Sequence, residues 1–217
     1  VIRRIVKPPL MALLKRLDLY SLFMLRRAGP LREDGWFRSF REKMPVDAEG
    51  NPLPWITYPA IEFLTPRVDA GMSVFEYGCG ASTLWWAGRV REVVSVEHDR
   101  VWYEKLAPRM PANVTLRHVP LGEGDDYPCA VAEYRNRFHL VVLDGRERVR
   151  CSFHAPDSLT PDGVILWDNS DRSEYAEGYR FLGDRGFRRI QFTGYAPGCI
   201  DKTETSIFYR DGNCLGI

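Results

Sequence analysis

The chain has 217 residues, a formal net charge of +1, 45% hydrophobic residues and 27% charged residues. That length suits one sizeable domain with an appended segment, long enough to bury a real core. The near-neutral balance argues against a general polyanion binder, so no nucleic acid is expected as a partner; five scattered cysteines without a Cys-x-x-Cys pair point to a reducing, cytoplasmic compartment and no structural zinc.

The first unit is expected over residues 1–54. Residues 1–29 are basic and apolar, with Arg3, Arg4, Lys7, Lys15, Arg16, Arg26 and Arg27 set against Asp18 alone. The pattern predicts one helix over 10–27, stopped by Gly29-Pro30. A helix this apolar needs a partner. The candidates are the domain itself, a second subunit in a homodimer, or a membrane surface held peripherally by residues 1–29. No secretory leader is expected, because charges interrupt the apolar run. Residues 31–54 turn charged and rich in turn formers, which reads as a lid or linker. A short helix with Pro59 in its first turn is expected over 55–64, and Trp36, Phe37, Trp55 and Tyr58 are candidates to wall a substrate pocket.

Strand and helix patterns then alternate through the second unit, residues 55–217. Strands are expected at 73–77, 92–97, 114–119, 138–143 and 164–167, with helices at 82–89, 100–110, 149–159 and 173–182 between or after them. A turn at Thr160-Pro161-Asp162-Gly163 precedes the fifth strand. Strands at 188–193 and 205–209 follow with no helix between them, which requires an antiparallel edge. The fold class is therefore α/β: a doubly wound, mostly parallel seven-stranded sheet with an antiparallel last strand, plus an N-terminal helical extension.

Ligands in such sheets gather at the carboxyl ends of the strands, so what ends each strand matters. The first runs into Glu76-Tyr77-Gly78-Cys79-Gly80 and a helix opened by Ser82 and Thr83. Glycines let a ligand come against the main chain, whereas an acid at Glu76 suits a cation or amine and repels phosphate. The turn lacks the third glycine of a dinucleotide site and the Gly-Lys-Ser/Thr of a phosphate loop. Glu97 ends the second strand, where an acid can accept two hydrogen bonds from a ribose diol or cap the next helix, a task open to Asp99 as well. His98 sits beside it at the expected cofactor edge. Asp144, Asp168 and Asn169 end strands four and five; three such ligands suit a hard cation such as Mg2+, and without one Asp144 could hold an amine while Asp168 and Asn169 cap a helix. Arg146, Glu147 and Arg148 follow Asp144 within substrate reach or as a solvated helix start, with Arg146 the candidate for an active-site role.

Taken together, residues 55–210 resemble the class I S-adenosylmethionine (SAM) methyltransferases. Glu76-x-Gly78-x-Gly80 matches their first motif, Glu97 the acid after strand two, Val141-Val142-Leu143-Asp144 the strand-four motif, and Asp162-Gly163 through Asp168-Asn169 the strand-five motif. The resemblance implies SAM as cofactor, held by Glu76, Tyr77, Gly78, Cys79, Gly80, Ser82, Glu97, His98 and Asp144. The Asp144, Asp168, Asn169 pattern is similar to the metal set of catechol and caffeoyl-CoA O-methyltransferases, which implies Mg2+-assisted O-methylation of a small-molecule or sugar hydroxyl, with Asp144 and Arg146 at the reacting group. Two features depart from that pattern: a shorter glycine turn, and Glu147 where catechol-type enzymes carry a catalytic lysine. Metal-independent N- or O-methylation, aminopropyl transfer and a binding module without turnover are the alternatives. Trp55-Ile56-Thr57-Tyr58-Pro59 and Trp167-Asp168-Asn169-Ser170-Asp171 also resemble a group of bacterial methyltransferase-like proteins.

Overall fold

Neighbouring residues of the first strand bury their side chains in two different apolar layers, and this alternation organises the molecule. In the computed structural model, which describes residues 8–122 and 124–217, Val74 joins a layer with Trp85, Trp86, Leu140 and Leu166, while Phe75 joins one with Val94, Phe138, Val141 and Trp167. A strand that is apolar on both faces must be covered on both, which is the condition for a doubly wound sheet.

Four short helices come first: α1 (Pro8–Arg16), α2 (Tyr20–Arg27), α3 (Pro30–Glu33) and α4 (Trp36–Glu42). The remaining elements are α5 (Tyr58–Leu64), β1 (Ser73–Tyr77), α6 (Ala81–Ala87), β2 (Glu92–Glu97), α7 (Arg100–Leu106), β3 (Val114–His118), β4 (Phe138–Leu143), α8 (Arg148–Ser158), β5 (Leu159–Asp168), α9 (Ala176–Asp184), β6 (Arg188–Tyr195) and β7 (Lys202–Tyr209). The sheet order is β3-β2-β1-β4-β5-β7-β6, with β7 antiparallel to both its neighbours. The expected fold class is present.

Three expectations need correction. The single helix over 10–27 is two, because Asp18 takes a left-handed backbone with φ 55° between α1 and α2; residues 1–7, with Arg3, Arg4 and Lys7, lie outside the described residues. The lid or linker over 31–54 is a knitted segment carrying α3 and α4. Asp47 Oδ1 accepts from the backbone amides of Gly50 and Asn51, both at 2.7 Å, and Ser39 Oγ donates to Val46 O at 2.7 Å while accepting from Val46 N at 3.0 Å. Finally, the turn at 160–163 lies inside β5. The β4–β5 register shifts between Phe138 and Leu140, so the extra residues are taken up as an irregularity rather than as a loop.

Strand order reverses between β1 and β4, so the sheet opens a crevice at their carboxyl ends. No helix among the described residues is long and apolar enough to cross a membrane.

Candidate functional site

Two glycines bring the chain ends at this crevice together. Gly78 has φ 88°, and a Cβ there would lie 3.2 Å from Gly145 Cα. A Cβ on Gly145 would lie 2.1 Å from the Tyr127 hydroxyl, so neither position has room for a side chain. Gly80 is different: a Cβ there would meet nothing within 4 Å, and its backbone faces open space. Above the turn lies a cleft of about 1020 Å³, lined by Gly78, Cys79, Gly80, Ser82, Glu97 and His98 on one side and by Asp144 and Arg146 on another.

Glu76 and Tyr77, expected at the cofactor, lie beneath the cleft and do not line it. Glu76 is fully buried. Its Oε2 accepts from Thr83 Oγ1 at 2.5 Å and Ser95 Oγ at 3.0 Å, and Thr83 Oγ1 in turn accepts from Gly80 N at 3.0 Å. The acid therefore braces the glycine turn from below. Tyr77 points into the core, donating from its hydroxyl to Pro128 O at 2.6 Å. Burial pushes the Glu76 carboxyl from 4.5 up to about 7, against the hydrogen bonds from Ser82, Thr83 and Ser95. A carboxyl raised on folding gives stability that is whole below its unfolded value and is lost as pH climbs through its folded value. Glu76→Gln should remove that loss. Thermal unfolding is expected to show the variant gaining on the wild type by on the order of 3 kcal/mol between about pH 4.5 and about pH 8; a gap that does not change with pH would contradict this.

Glu97 reaches the cleft from the end of β2 and is 4% exposed. Its Oε2 accepts from Cys79 N at 3.2 Å, and its Oε1 accepts from Asp99 N at 2.8 Å. His98 Nδ1 lies 2.8 Å from the same Oε1. The helix-capping task belongs to Asp99, whose Oδ1 accepts from Trp102 N at 2.9 Å. Trp102, which sequence reasoning passed over, donates from Nε1 to Cys79 O at 2.8 Å and lines the cleft.

Asp144 stands where the cleft meets a second cavity of about 630 Å³ lined by Phe40, Trp55, Asp168, Asn169, Cys199 and Lys202 among others. Trp55 is also common to both. Of the aromatics expected to wall a pocket, Trp55 does so; Trp36, Phe37 and Tyr58 do not, and Phe40 takes part instead. Trp36 supports the wall from behind: its Nε1 donates to Cys199 O at 2.7 Å, and Trp55 Nε1 donates to Cys199 Sγ at 3.3 Å. The β6–β7 loop is thereby tied to α4.

The side chain that controls the strand tips is Arg148, expected only as one member of the charged run after Asp144. Its side chain is 10% exposed. It donates to Asp144 Oδ1 and Asp144 O at 3.0 Å each, to Gly145 O at 2.9 Å, to Asn169 Oδ1 at 3.1 Å, and to Asp168 O. Burial, and then the charge of Asp168, raise the Asp144 carboxyl well above its ordinary range against the pull of Arg148. Asp168 is raised too, chiefly by burial, and its Oδ1 accepts from Thr205 Oγ1 at 2.8 Å. Glu147 and Asn169, which flank this knot, both hold left-handed backbones with φ 49° and 50°; such strain in non-glycine residues persists where the surroundings over-determine it.

The chain aligns structurally with precorrin 8w decarboxylase of Methanobacterium thermoautotrophicum (TM-score 0.55, 19% identity, covering 78% of this chain and 97% of that one). It also aligns with a methyltransferase-like protein of Silicibacter pomeroyi (TM-score 0.51, 25% identity, 74% and 90% covered). This is the methyltransferase fold. Spermidine synthase of Thermotoga maritima shares it (TM-score 0.52, 14% identity, 74% of this chain and 59% of that one). No protein-family model and no curated protein matches the chain.

On the methyltransferase fold, the cleft residues fit an adenosyl cofactor: open backbone at Gly80, an acid at the tip of β2, and room above the turn. The residues expected for Mg2+ do not fit a metal. Arg148 already places a positive charge on Asp144 and Asn169, Asp168 Oδ1 is engaged by Thr205, and Asn169 Oδ1 also accepts from Arg172 Nη2 at 3.3 Å. A divalent cation would have to compete with a fixed guanidinium for the same oxygens. Among the described residues no group of three or more His, Cys, Asp or Glu side chains is arranged to hold a metal.

Proposed function

We propose that the chain is a SAM-dependent methyltransferase that acts on a hydroxyl of a small molecule without a metal. The observation that carries this reading is the meeting of two cavities at Asp144 and Trp55, one over the glycine turn and Glu97, the other walled by Phe40, Cys199 and Lys202. The first would hold the cofactor and the second the acceptor. When bound, SAM supplies a methyl group made electrophilic by its sulfonium.

The chain's own residues would do the rest. Glu97 would accept from the ribose hydroxyls while keeping its bonds to the Cys79 and Asp99 amides. Gly78 and Gly80 would let the methionine end approach the main chain. Asp144 would take the acceptor's proton, leaving a nucleophilic oxygen where the two cavities meet. Its raised affinity for a proton suits that task. Arg148 would keep Asp144 in place at the junction. Arg146, exposed on the cleft wall, would contact the acceptor.

The test is transfer of a labelled methyl group from SAM to a panel of small hydroxyl and amine acceptors, with and without chelator. Label is expected in a hydroxyl product at the same rate in both conditions. A rate abolished by chelator and restored by Mg2+ would overturn the metal-free reading, and label only in amines would overturn the acceptor class.

A further inference from the structure

The N-terminal helices leave a leucine surface uncovered. Leu10, Leu13, Leu17, Leu19, Leu22 and Leu25 are between 43% and 59% exposed, and α2 has no buried residue. Their spacing places Leu10, Leu13 and Leu17 along one side of α1 and its end, and Leu22 and Leu25 one turn apart on α2. The neighbouring apolar residues are only partly covered: Met11, Leu14, Phe23 and Met24 are half-buried. Six exposed leucines within residues 10–25 mark a contact with something outside the chain.

Charge decides what that is. Lys15, Arg16, Arg26 and Arg27 close the last turns of the two helices, with Asp18 the single acid among residues 8–28. Two copies of this helix pair facing each other would bring eight cations together, which opposes self-association through the same face. An anionic lipid surface satisfies both features at once, taking the leucines at its headgroup boundary and the cations at its phosphates. Neither helix crosses: α1 has 9 residues and α2 has 8.

We propose that α1 and α2 together are a docking surface for an anionic bilayer, on which they lie flat. This holds whether or not the cleft binds SAM. The test is sedimentation of the full chain with vesicles of neutral phosphatidylcholine, and with vesicles carrying about one-third phosphatidylglycerol, which gives a charged surface. The expected result is at least about tenfold stronger binding to the charged vesicles, reversed by high salt. Leu13→Asp with Leu22→Asp, and separately Arg26→Glu with Arg27→Glu, should each weaken that binding by about tenfold or more. All four positions lie on the two terminal helices, so circular dichroism and light scattering should show the variants folded. Failure to bind charged vesicles, or equal binding to neutral ones, would overturn the proposal. So would leucine variants that turn a dimer into a monomer while vesicle binding stands.

Discussion

Arg148→Met is expected to lower stability by about 3 kcal/mol near pH 7, because it leaves buried Asp168 and half-buried Asp144 without their counter-charge. For a chain of this size that is a fall on the order of 10 °C in Tm. The cause predicts its own pH dependence. Asp144 and Asp168 are raised above their ordinary 3.8 even with the guanidinium present, and would rise further without it. A carboxyl raised on folding keeps its stability below the unfolded value and loses it as pH rises through the folded one. The deficit of the variant should therefore grow as pH rises above neutrality and shrink as pH falls toward about 4. Millimolar Mg2+ should leave the wild type unmoved and recover part of the variant's loss, since the freed oxygens of Asp144, Asp168 and Asn169 are hard ligands. A pH-independent loss would mean that Arg148 acts through packing rather than charge.

Glu97→Ala is expected to weaken S-adenosylhomocysteine binding by about 30-fold or more. Each hydrogen bond to a charged group contributes about 1.5–3 kcal/mol, and every 1.4 kcal/mol is tenfold in affinity. Part of that loss comes from the turn itself, because the same carboxylate holds the amides of Cys79 and Asp99. Glu97→Gln separates the contributions. It keeps one carbonyl oxygen but presents a donor to the other partner, so an intermediate loss is expected. Calorimetry that finds Glu97→Ala binding like the wild type would remove this residue from the cofactor site.

The sheet was legible in the sequence because its strands are short apolar runs ending in acids, and strands buried on both faces leave that mark. Glu97 and Asp144 could be placed at the cleft for the same reason: they are the first polar residues after such runs. Glu76 was misjudged by one step of the pleat. It belongs to the same acid-glycine motif, yet its side chain falls under the turn, where Thr83 and Ser95 hold it. The inward role of Arg148 was missed for a different reason. It sits in a charged run, Arg146-Glu147-Arg148, of which only the left-handed backbone at Glu147 and the start of α8 turn one member inward. No spacing rule predicts that an arginine will take the place the pattern Asp144, Asp168, Asn169 reserves for a metal. The second cavity was half legible: Trp55 was an expected wall, whereas Phe40 depends on α4 folding against the β6–β7 loop. That contact is close, since a Cβ on Gly198 would lie 2.9 Å from Phe40 N.

Titration calorimetry of SAM and S-adenosylhomocysteine into the folded wild-type chain tests the central claim most directly. Saturable binding of both at one site per chain, unchanged by chelator, is the result this account predicts. No heat from either ligand, in protein whose thermal unfolding shows it to be folded, would contradict it.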